Sequence, residues 1–452
     1  MHKKLLAVAV AGALAAPAVA MAQSAVTISG ALNLWYESAG ASGATNATTA
    51  ASTVSTFDVK TRDRISDGNG SNIRFTATED LGGGIAGFGQ VESAVLTNAQ
   101  TRNDGLGNPG QATTSPQTAS GWATRNSGVG LRGAAWGEVL LGIWDTHYTE
   151  SYAVDNQLIK GGSHTSSLAL LNSFGTVGWA TGAGSLGGAS IGARYSNVIR
   201  YQSPNWAGFN FRASMARPTD GAVPTTVGSV TDGAKNRAWN IVPTYSNGPV
   251  YVSWSYLKDK DIIGTGAALY TGATGGGTFA GGAAGAALYT ITSSRLHGAY
   301  TFPFGLKLGL ILDASKIEAK ASGTVAASEL KKTTFSIPIS WTSGPHAVFA
   351  TYSQASKLKG SINGADLSTI TILPSGAPAG TGQSMDSNTG AKFYSLGYQF
   401  DISKRTNVHV AYAQIKNDKL AGYDFFSNTV SMSNGNFGAD PRIISLGVRH
   451  AF

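Results

Sequence analysis

The chain has 452 residues, 59 glycines, no cysteine and a formal net charge of +8, with 33 Lys and Arg against 25 Asp and Glu. Its mean hydropathy is near zero, so membrane contact cannot come from apolar blocks, and the absence of cysteine excludes a disulfide-stapled domain. A soluble chain this long predicts two or more domains; a large barrel is the exception, because it needs no compact core.

At the N-terminus, Lys3 and Lys4 precede an apolar run from Leu5 to Ala16, and Ala20-Met21-Ala22 supplies a small-x-small cleavage pattern. This predicts a secretory signal peptide over residues 1–22, since the run is shorter than the roughly 20 residues of a spanning helix. Loss of Lys3 and Lys4 with it lowers the formal charge from +8 to +6. Residues 23–452 are then expected to form a single domain.

Period-two alternation follows along that whole domain. It predicts strands at 25–37, 70–79, 85–96, 122–132, 138–146, 191–203, 207–217 and 235–246. Further strands are predicted at 250–259, 292–303, 306–317, 332–342, 346–356, 390–400, 406–417 and 441–452. Leu306, Leu308, Leu310 and Leu312 alternate with Lys307, Gly309, Ile311 and Asp313; Tyr394, Leu396, Tyr398 and Phe400 alternate with Ser395, Gly397 and Gln399.

The connections alternate too. Short turns rich in Gly, Pro and Asn fall at 80–84, 133–137, 204–206, 247–249, 303–305, 344–345 and 401–406. Between them lie long Ala/Gly/Ser/Thr-rich segments at 38–69, 97–121, 147–190, 218–234, 260–291, 318–331, 357–389 and 418–440. A soluble sandwich or propeller would not sort its connections by length. The last strand ends on Phe452 with Ile444, Leu446, Val448 and His450 on the same face. Such a strand is an aggregation hazard in water, whereas in a membrane barrel it closes the sheet and places an aromatic at the interface. The expectation is an all-β chain: a transmembrane antiparallel β-barrel of about sixteen strands in the outer membrane of a Gram-negative bacterium.

Enzyme motifs do not survive their context. Gly188-Ala189-Ser190-Ile191-Gly192 matches a nucleophile elbow but leads into a period-two strand, not a helix. Gly82 to Gly87 and Gly182 to Gly187 match the dinucleotide fingerprint without a βαβ unit around them. The seven histidines show no metal-ligand spacing, and no aromatic-basic cluster suggests nucleic acid. No enzyme, cofactor or metal is expected.

Several segments resemble the general diffusion porins of Gram-negative bacteria, most nearly the betaproteobacterial type. They are Ser71-Asn72-Ile73-Arg74-Phe75 with Thr78 to Gly84, Val129 to Gly133, Gly137 to Gly142, Ile199 to Phe209, and Leu446 to Phe452. The resemblance implies a homotrimer whose third long loop, here 147–190, folds into the lumen opposite a wall of arginines. Strand parity places Arg74, between Ile73 and Phe75, and Arg200, between Ile199 and Tyr201, on the lumen face. Arg125, three residues before Gly128, stands where the family carries another basic wall residue. On the loop, Glu150, Asp155 and Lys160 are the candidate charges, with Asp145, His147 and His164 nearby. Two departures weaken cation preference and the arginine wall respectively: Leu158-Ile159-Lys160-Gly161-Gly162 replaces an acidic loop tip, and Ile143-Trp144 follows Gly142 where an arginine is usual.

The reading is passive diffusion of small hydrophilic solutes and ions with weak anion preference. The alternative is a substrate-specific channel or a partner-binding barrel. Outer-membrane lipids are the expected surroundings. By resemblance, Phe452, with Val448 and His450 on its face, is the signal read by the assembly machinery.

Overall fold

The computed structural model describes residues 25–44, 58–66, 71–95, 122–155, 163–177, 191–192, 194–217, 237–263, 288–320, 326–362, 364–372, 383–426, 430 and 437–452. The expected signal peptide, Lys160 and most of the glycine-rich motif matches at 182–192 lie outside them.

Sixteen antiparallel strands close into a barrel. In chain order they are β1 (Ala25–Ser42), β2 in two segments (Val59–Ser66 and Asn72–Gly82), β3 (Ile85–Ala94), β4 (Ser127–Gly133), β5 (Gly137–Asp145) and β6 (Arg194–Gln202). Then come β7 (Phe209–Ala216), β8 (Arg237–Asn247), β9 (Val250–Ile263), β10 (Leu288–Thr301) and β11 (Leu306–Ala319). The circuit ends with β12 (Ser328–Ser343), β13 (His346–Ala355, extended by Lys359–Ile362), β14 (Ala391–Asp401), β15 (Thr406–Asn417) and β16 (Asp440–Ala451). Each pairs with its neighbour in sequence, and β1 also pairs with β16, from Ala31 opposite Ala451 to Ser42 opposite Asp440. Closure leaves no sheet edge to be satisfied in lipid.

Every expected strand is present, and one expectation is corrected. The segment 38–69 is not one long loop: β1 runs on to Ser42 and pairs with Val59–Ser66, which is the upper half of β2. The short turns fall where expected. At Gly82-Gly83-Gly84 all three φ angles are positive, +81°, +60° and +77°, a conformation that side chains with a Cβ resist.

Alternation decides what each face meets. On β11, Leu308, Leu310 and Leu312 are exposed to the outside, whereas Ile311, Asp313 and Ser315 are buried on the inside. Outward aromatics Trp254, Tyr300, Trp341, Tyr394, Tyr398 and Tyr412 mark the wall of β9–β15, as interface girdles do. The interior is not empty. Residues 147–155 and 163–177 lie inside the barrel, where Leu168, Leu170 and Leu171 are buried together with Phe393, Phe425 and Ile311 of the wall and last loop. Burying such side chains contributes roughly 1.5–3 kcal/mol each.

Candidate pore constriction

The inward segment begins at His147, whose φ of +57° turns the chain from β5 into the lumen. A 3-10 turn over Tyr148–Ala153 follows, and a short helix spans Leu168–Leu171. Neither could hold its position alone, and the wall supplies the contacts. His147 bonds through its two ring nitrogens to Ser255 Oγ and Ser293 Oγ, both at 2.8 Å. Arg295, paired with Asp313 at 2.9 Å, donates to the Leu171 carbonyl at 2.8 Å. Lys332 donates to the carbonyls of Leu170 and Ser173. Farther round, Ser395 donates to the Thr165 carbonyl at 3.1 Å, and His164 Nε2 meets Ser445 Oγ at 2.8 Å. At Gly309 the loop comes so close that an added Cβ would stand 2.5 Å from Val154 Cγ1. The loop is thus tied to β9, β10, β12, β14 and β16.

The other side of the lumen, β1–β6, carries a ladder of arginines set around buried carboxylates. Cross-strand register explains it. Glu37 stands opposite Arg64, and Arg74 opposite Glu92. Glu92 accepts from Arg74 at 2.9 Å and from Arg125 at 2.5 Å. Arg64 meets Glu37 at 2.5 Å, and Arg194 meets Asp145 at 2.9 Å. Side-chain exposure separates the partners: Arg74 is 41% and Arg125 24% accessible, whereas Glu92 is 2% and Glu37 0%. Cations therefore face the open lumen and carboxylates stand behind them. Arg62 lies on the same face, opposite Ala39, with Asp424 of the last long loop acting on it.

The expected residues divide into groups. Arg74 and Arg125 share Glu92. Arg200 also points inward, but lies near the short-turn end, where it bonds Glu138 at 3.1 Å and Gln202 at 2.6 Å and covers the Trp144 ring. Glu150 is bound by Arg212, close to this lower group, and burial raises its carboxyl pKa against the pull of Arg212. Asp155 is folded into the loop itself, accepting from the Ser167 amide at 2.9 Å and from the Ser167 hydroxyl. Arg62, Arg64 and Arg194 were not expected. The first two sit on a segment whose other face, Thr61, Asp63 and Ile65, is too polar to read as lipid-facing.

A family model for the Gram-negative porins matches residues 7–420. The chain belongs to that family. Outer membrane porin protein 32 of Delftia acidovorans is 25% identical over 459 residues, with all of both chains covered. An outer membrane porin protein of Bordetella pertussis is 25% identical over 394 residues, covering 85% of this chain and 83% of the relative. Among solved structures, an anion-selective porin from Comamonas acidovorans superposes with a TM-score of 0.59 at 20% identity, covering 95% of this chain and 100% of that one. This porin is therefore an outer-membrane channel of a Gram-negative bacterium.

The loop histidines are expected to give the porin a pH dependence. Burial, with Arg295 and His297 nearby, holds His147 well below its ordinary value of 6.5. Burial, with His409 nearby, lowers His164 to about 3. Both are neutral in the docked loop, which binds fewer protons than a released loop titrating near 6.5. Docking stability is therefore full above that value and falls as pH drops toward the lowered ones. Lowering the pH from 7 to 4 is expected to make single-channel current noisier, reversibly, and His147→Gln with His164→Gln to reduce the change. The remainder comes from Glu150, whose raised carboxyl pKa lets it gain a proton in the same window. An identical current record at both pH values would contradict this.

Proposed function

We propose that this porin passes small hydrophilic solutes and ions passively, without a catalytic step, and prefers anions weakly. The observation that carries this reading is the arginine ladder: Arg62, Arg64, Arg74, Arg125 and Arg194 against Glu37, Glu92, Asp145 and Asp424. The balance is one positive charge, and the guanidinium groups of Arg64, Arg74 and Arg125 stand nearer the water than Glu37 and Glu92. Fixed charge acts strongly across a gap narrower than the Debye length of about 8 Å at physiological salt. The Comamonas acidovorans structure is described as an anion-selective porin, which agrees with this sign. The zero-current potential in a salt gradient tests it, and a cation-selective potential at low salt would refute it. Saturable block by one solute would instead favour a substrate-specific channel. Residues 1–22 are proposed as the signal peptide, and 147–190 as the constriction loop.

A homotrimer packed through the first and last strands is part of the same reading. Outward side chains there are mainly aliphatic: Val26 and Ile28 on β1 and Ile444, Leu446 and Val448 on β16 are all exposed in the single chain, as are Val91, Val129, Leu131 and Leu141 on the neighbouring β3–β5. Strands β4–β7 have only 7 to 9 residues, against 14 to 16 for β9–β12. A low wall suits protein packing better than a full lipid span. A structure of OmpT from Vibrio cholerae, TM-score 0.54 at 14% identity, is described as a trimer form.

The C-terminal residue belongs to assembly in this proposal. Phe452 exchanges two backbone hydrogen bonds of 3.1 Å with Gly30, and its ring lies over that glycine. Val448 faces outward, and His450 meets Thr406 Oγ1 at 2.8 Å. Deleting Phe452 is expected to reduce severalfold the heat-modifiable trimer on a gel. Unchanged trimer would refute the assembly role, and wild-type monomer alone in mild detergent would refute the trimer.

A further inference from the structure

Opposite the arginine ladder, the inward loop presents aromatic rings rather than free carboxylates. In the turn Tyr148–Ala153, Tyr148 and Tyr152 meet edge to face, their ring centroids 6.3 Å apart and their planes at 88°. Phe426 of the last long loop packs on Tyr148 with a centroid distance of 6.1 Å. Glu150, the only acid of that turn, is bound by Arg212, and Asp155 is turned to Ser167.

The rings are anchored from two sides. Tyr148 donates its hydroxyl to Asp145 at 2.5 Å, and Arg194 holds that carboxylate at 2.9 Å. Lys307 of β11 donates to the carbonyl of Ala153, next to Tyr152. Tyr148 and Phe426 are buried with Val154, Leu168, Leu171 and Ile311, and Tyr152 packs half-buried against that group. Part of the Tyr152 ring is thus left to the channel.

The polar end of Tyr152 is unlike that of Tyr148. Its hydroxyl makes no hydrogen bond among the described residues. Burial holds the phenol well above its ordinary value of 10, with Tyr148 and Asp145 adding to the shift and Arg125 and Arg194 opposing it. It stays protonated, a neutral donor within the field of two ladder arginines.

Charge alone does not separate one monovalent anion from another of the same size. An aromatic ring does, because both walls favour it. A planar ring packs edge to face or offset against tyrosine and gains more than its buried area alone provides. A guanidinium is also attracted to a ring face. This barrel makes that contact twice, with Arg132 over Phe88 at 5.5 Å and Arg200 over Trp144 at 5.3 Å. Arg74 and Arg125 remain 41% and 24% accessible beside Glu92, so a passing solute reaches them. A saturated ring of equal charge gains the ion contacts and neither aromatic one.

We propose that the narrow zone passes planar aromatic monocarboxylates ahead of saturated carboxylates of equal charge. The carboxylate meets Arg74, Arg125 and the Tyr152 hydroxyl, and the ring meets Tyr152, Tyr148 and Phe426. The inference rests on the anion-channel reading and names the solute class that the channel favours. Conduction requires contacts weak enough to release the solute, and half-exposed partners on both walls meet that condition.

The test places potassium benzoate on one side of a planar bilayer and potassium cyclohexanecarboxylate at equal concentration on the other. The cation is common to both sides, so the zero-current potential reports which anion passes more easily. Wild type is expected to favour benzoate by roughly two- to tenfold, the range of one aromatic pair. Tyr152→Leu keeps the charge and an apolar side chain, and is expected to bring the ratio close to unity. Tyr152→Phe keeps the ring and loses the hydroxyl. It is expected to retain the benzoate preference while both carboxylates pass less well relative to chloride. A wild-type potential near zero would overturn the proposal, as would a preference that survives Tyr152→Leu or disappears in Tyr152→Phe. A potassium chloride gradient across the same membrane separates the two readings. An anion-selective potential with equal carboxylate permeabilities sinks this proposal alone, whereas a cation-selective potential sinks the anion-channel reading with it.

Discussion

Replacing Arg74 and Arg125 together by serine is expected to move the zero-current potential toward cations and to reverse the sign of selectivity at low salt. The two guanidinium groups share Glu92, which is 2% exposed and lies behind them. Without them, the ladder retains Arg62, Arg64 and Arg194 against Glu37, Glu92, Asp145 and Asp424, so a balance of one positive charge becomes one negative. At about 8 Å and an effective dielectric between those of surface sites and water, one unit charge is worth about 1 kcal/mol to a passing ion. Two charges move anion and cation by about 2 kcal/mol each in opposite directions, about 4 kcal/mol in their ratio before screening. One Debye length of screening at physiological salt cuts this to about 1.5 kcal/mol, roughly tenfold, and the change fades toward 1 M salt as the Debye length shrinks to about 3 Å. Glu92→Gln is expected to act in the opposite direction. Arg200→Ser serves as the comparison, because Arg200 lies at the short-turn end with Glu138 and Gln202; its shift is expected to be smaller. A double variant that keeps the wild-type reversal potential at low salt would show that Arg74 and Arg125 do not line the narrow zone.

Much of this architecture is written in period two, and its failures are local. Ile73 and Phe75 sufficed to turn Arg74 inward, and Leu308, Leu310 and Leu312 sufficed to orient β11, because one face of each strand must satisfy lipid. That signal vanishes where the wall rises above lipid. Val59–Ser66 has Thr61 and Asp63 on its outer face, so the strand, and with it Arg62 and Arg64, was not legible. Buried carboxylates were not legible either. Glu37 and Glu92 look like ordinary lumen residues until cross-strand register places arginines opposite them. The loop contacts are harder still, since Arg295 and Lys332 grip backbone carbonyls of Leu171, Leu170 and Ser173 more than 120 residues away in the chain. A carbonyl carries no side-chain identity to recognise. The loop charges show a related limit: Asp155 is an acid on the right loop, yet its oxygens are turned to Ser167, inside it.

Those carbonyl contacts lead to the largest expected effect on the width of the channel. Arg295 is fully buried, 0% exposed on each side of its pair with Asp313, and it donates across the lumen to Leu171. Arg295→Ala would leave Asp313 with only the hydroxyls of Ser293 at 2.7 Å and Ser315 at 2.6 Å. Breaking one partner of a buried pair costs about 3–5 kcal/mol, here set against the docked loop, because the strand ladder on either side stays paired. Lys332→Met removes the second grip and leaves the Leu170 and Ser173 carbonyls without that donor, at about 1–3 kcal/mol for each one left unsatisfied. Each variant is expected to fold as a barrel, to conduct more in single-channel recording, and to expose residues 163–177 to protease. Replacing the pair together, Arg295→Met with Asp313→Leu, removes the stranded charge and is expected to recover part of the loss, since an apolar pair of similar volume is often as stable as a buried ion pair. The Leu171 carbonyl still lacks its donor, so recovery should be incomplete. If Arg295→Ala retains wild-type conductance and protease resistance, the loop is held by His147, His164 and its apolar contacts, and the Arg295 bridge serves only the wall.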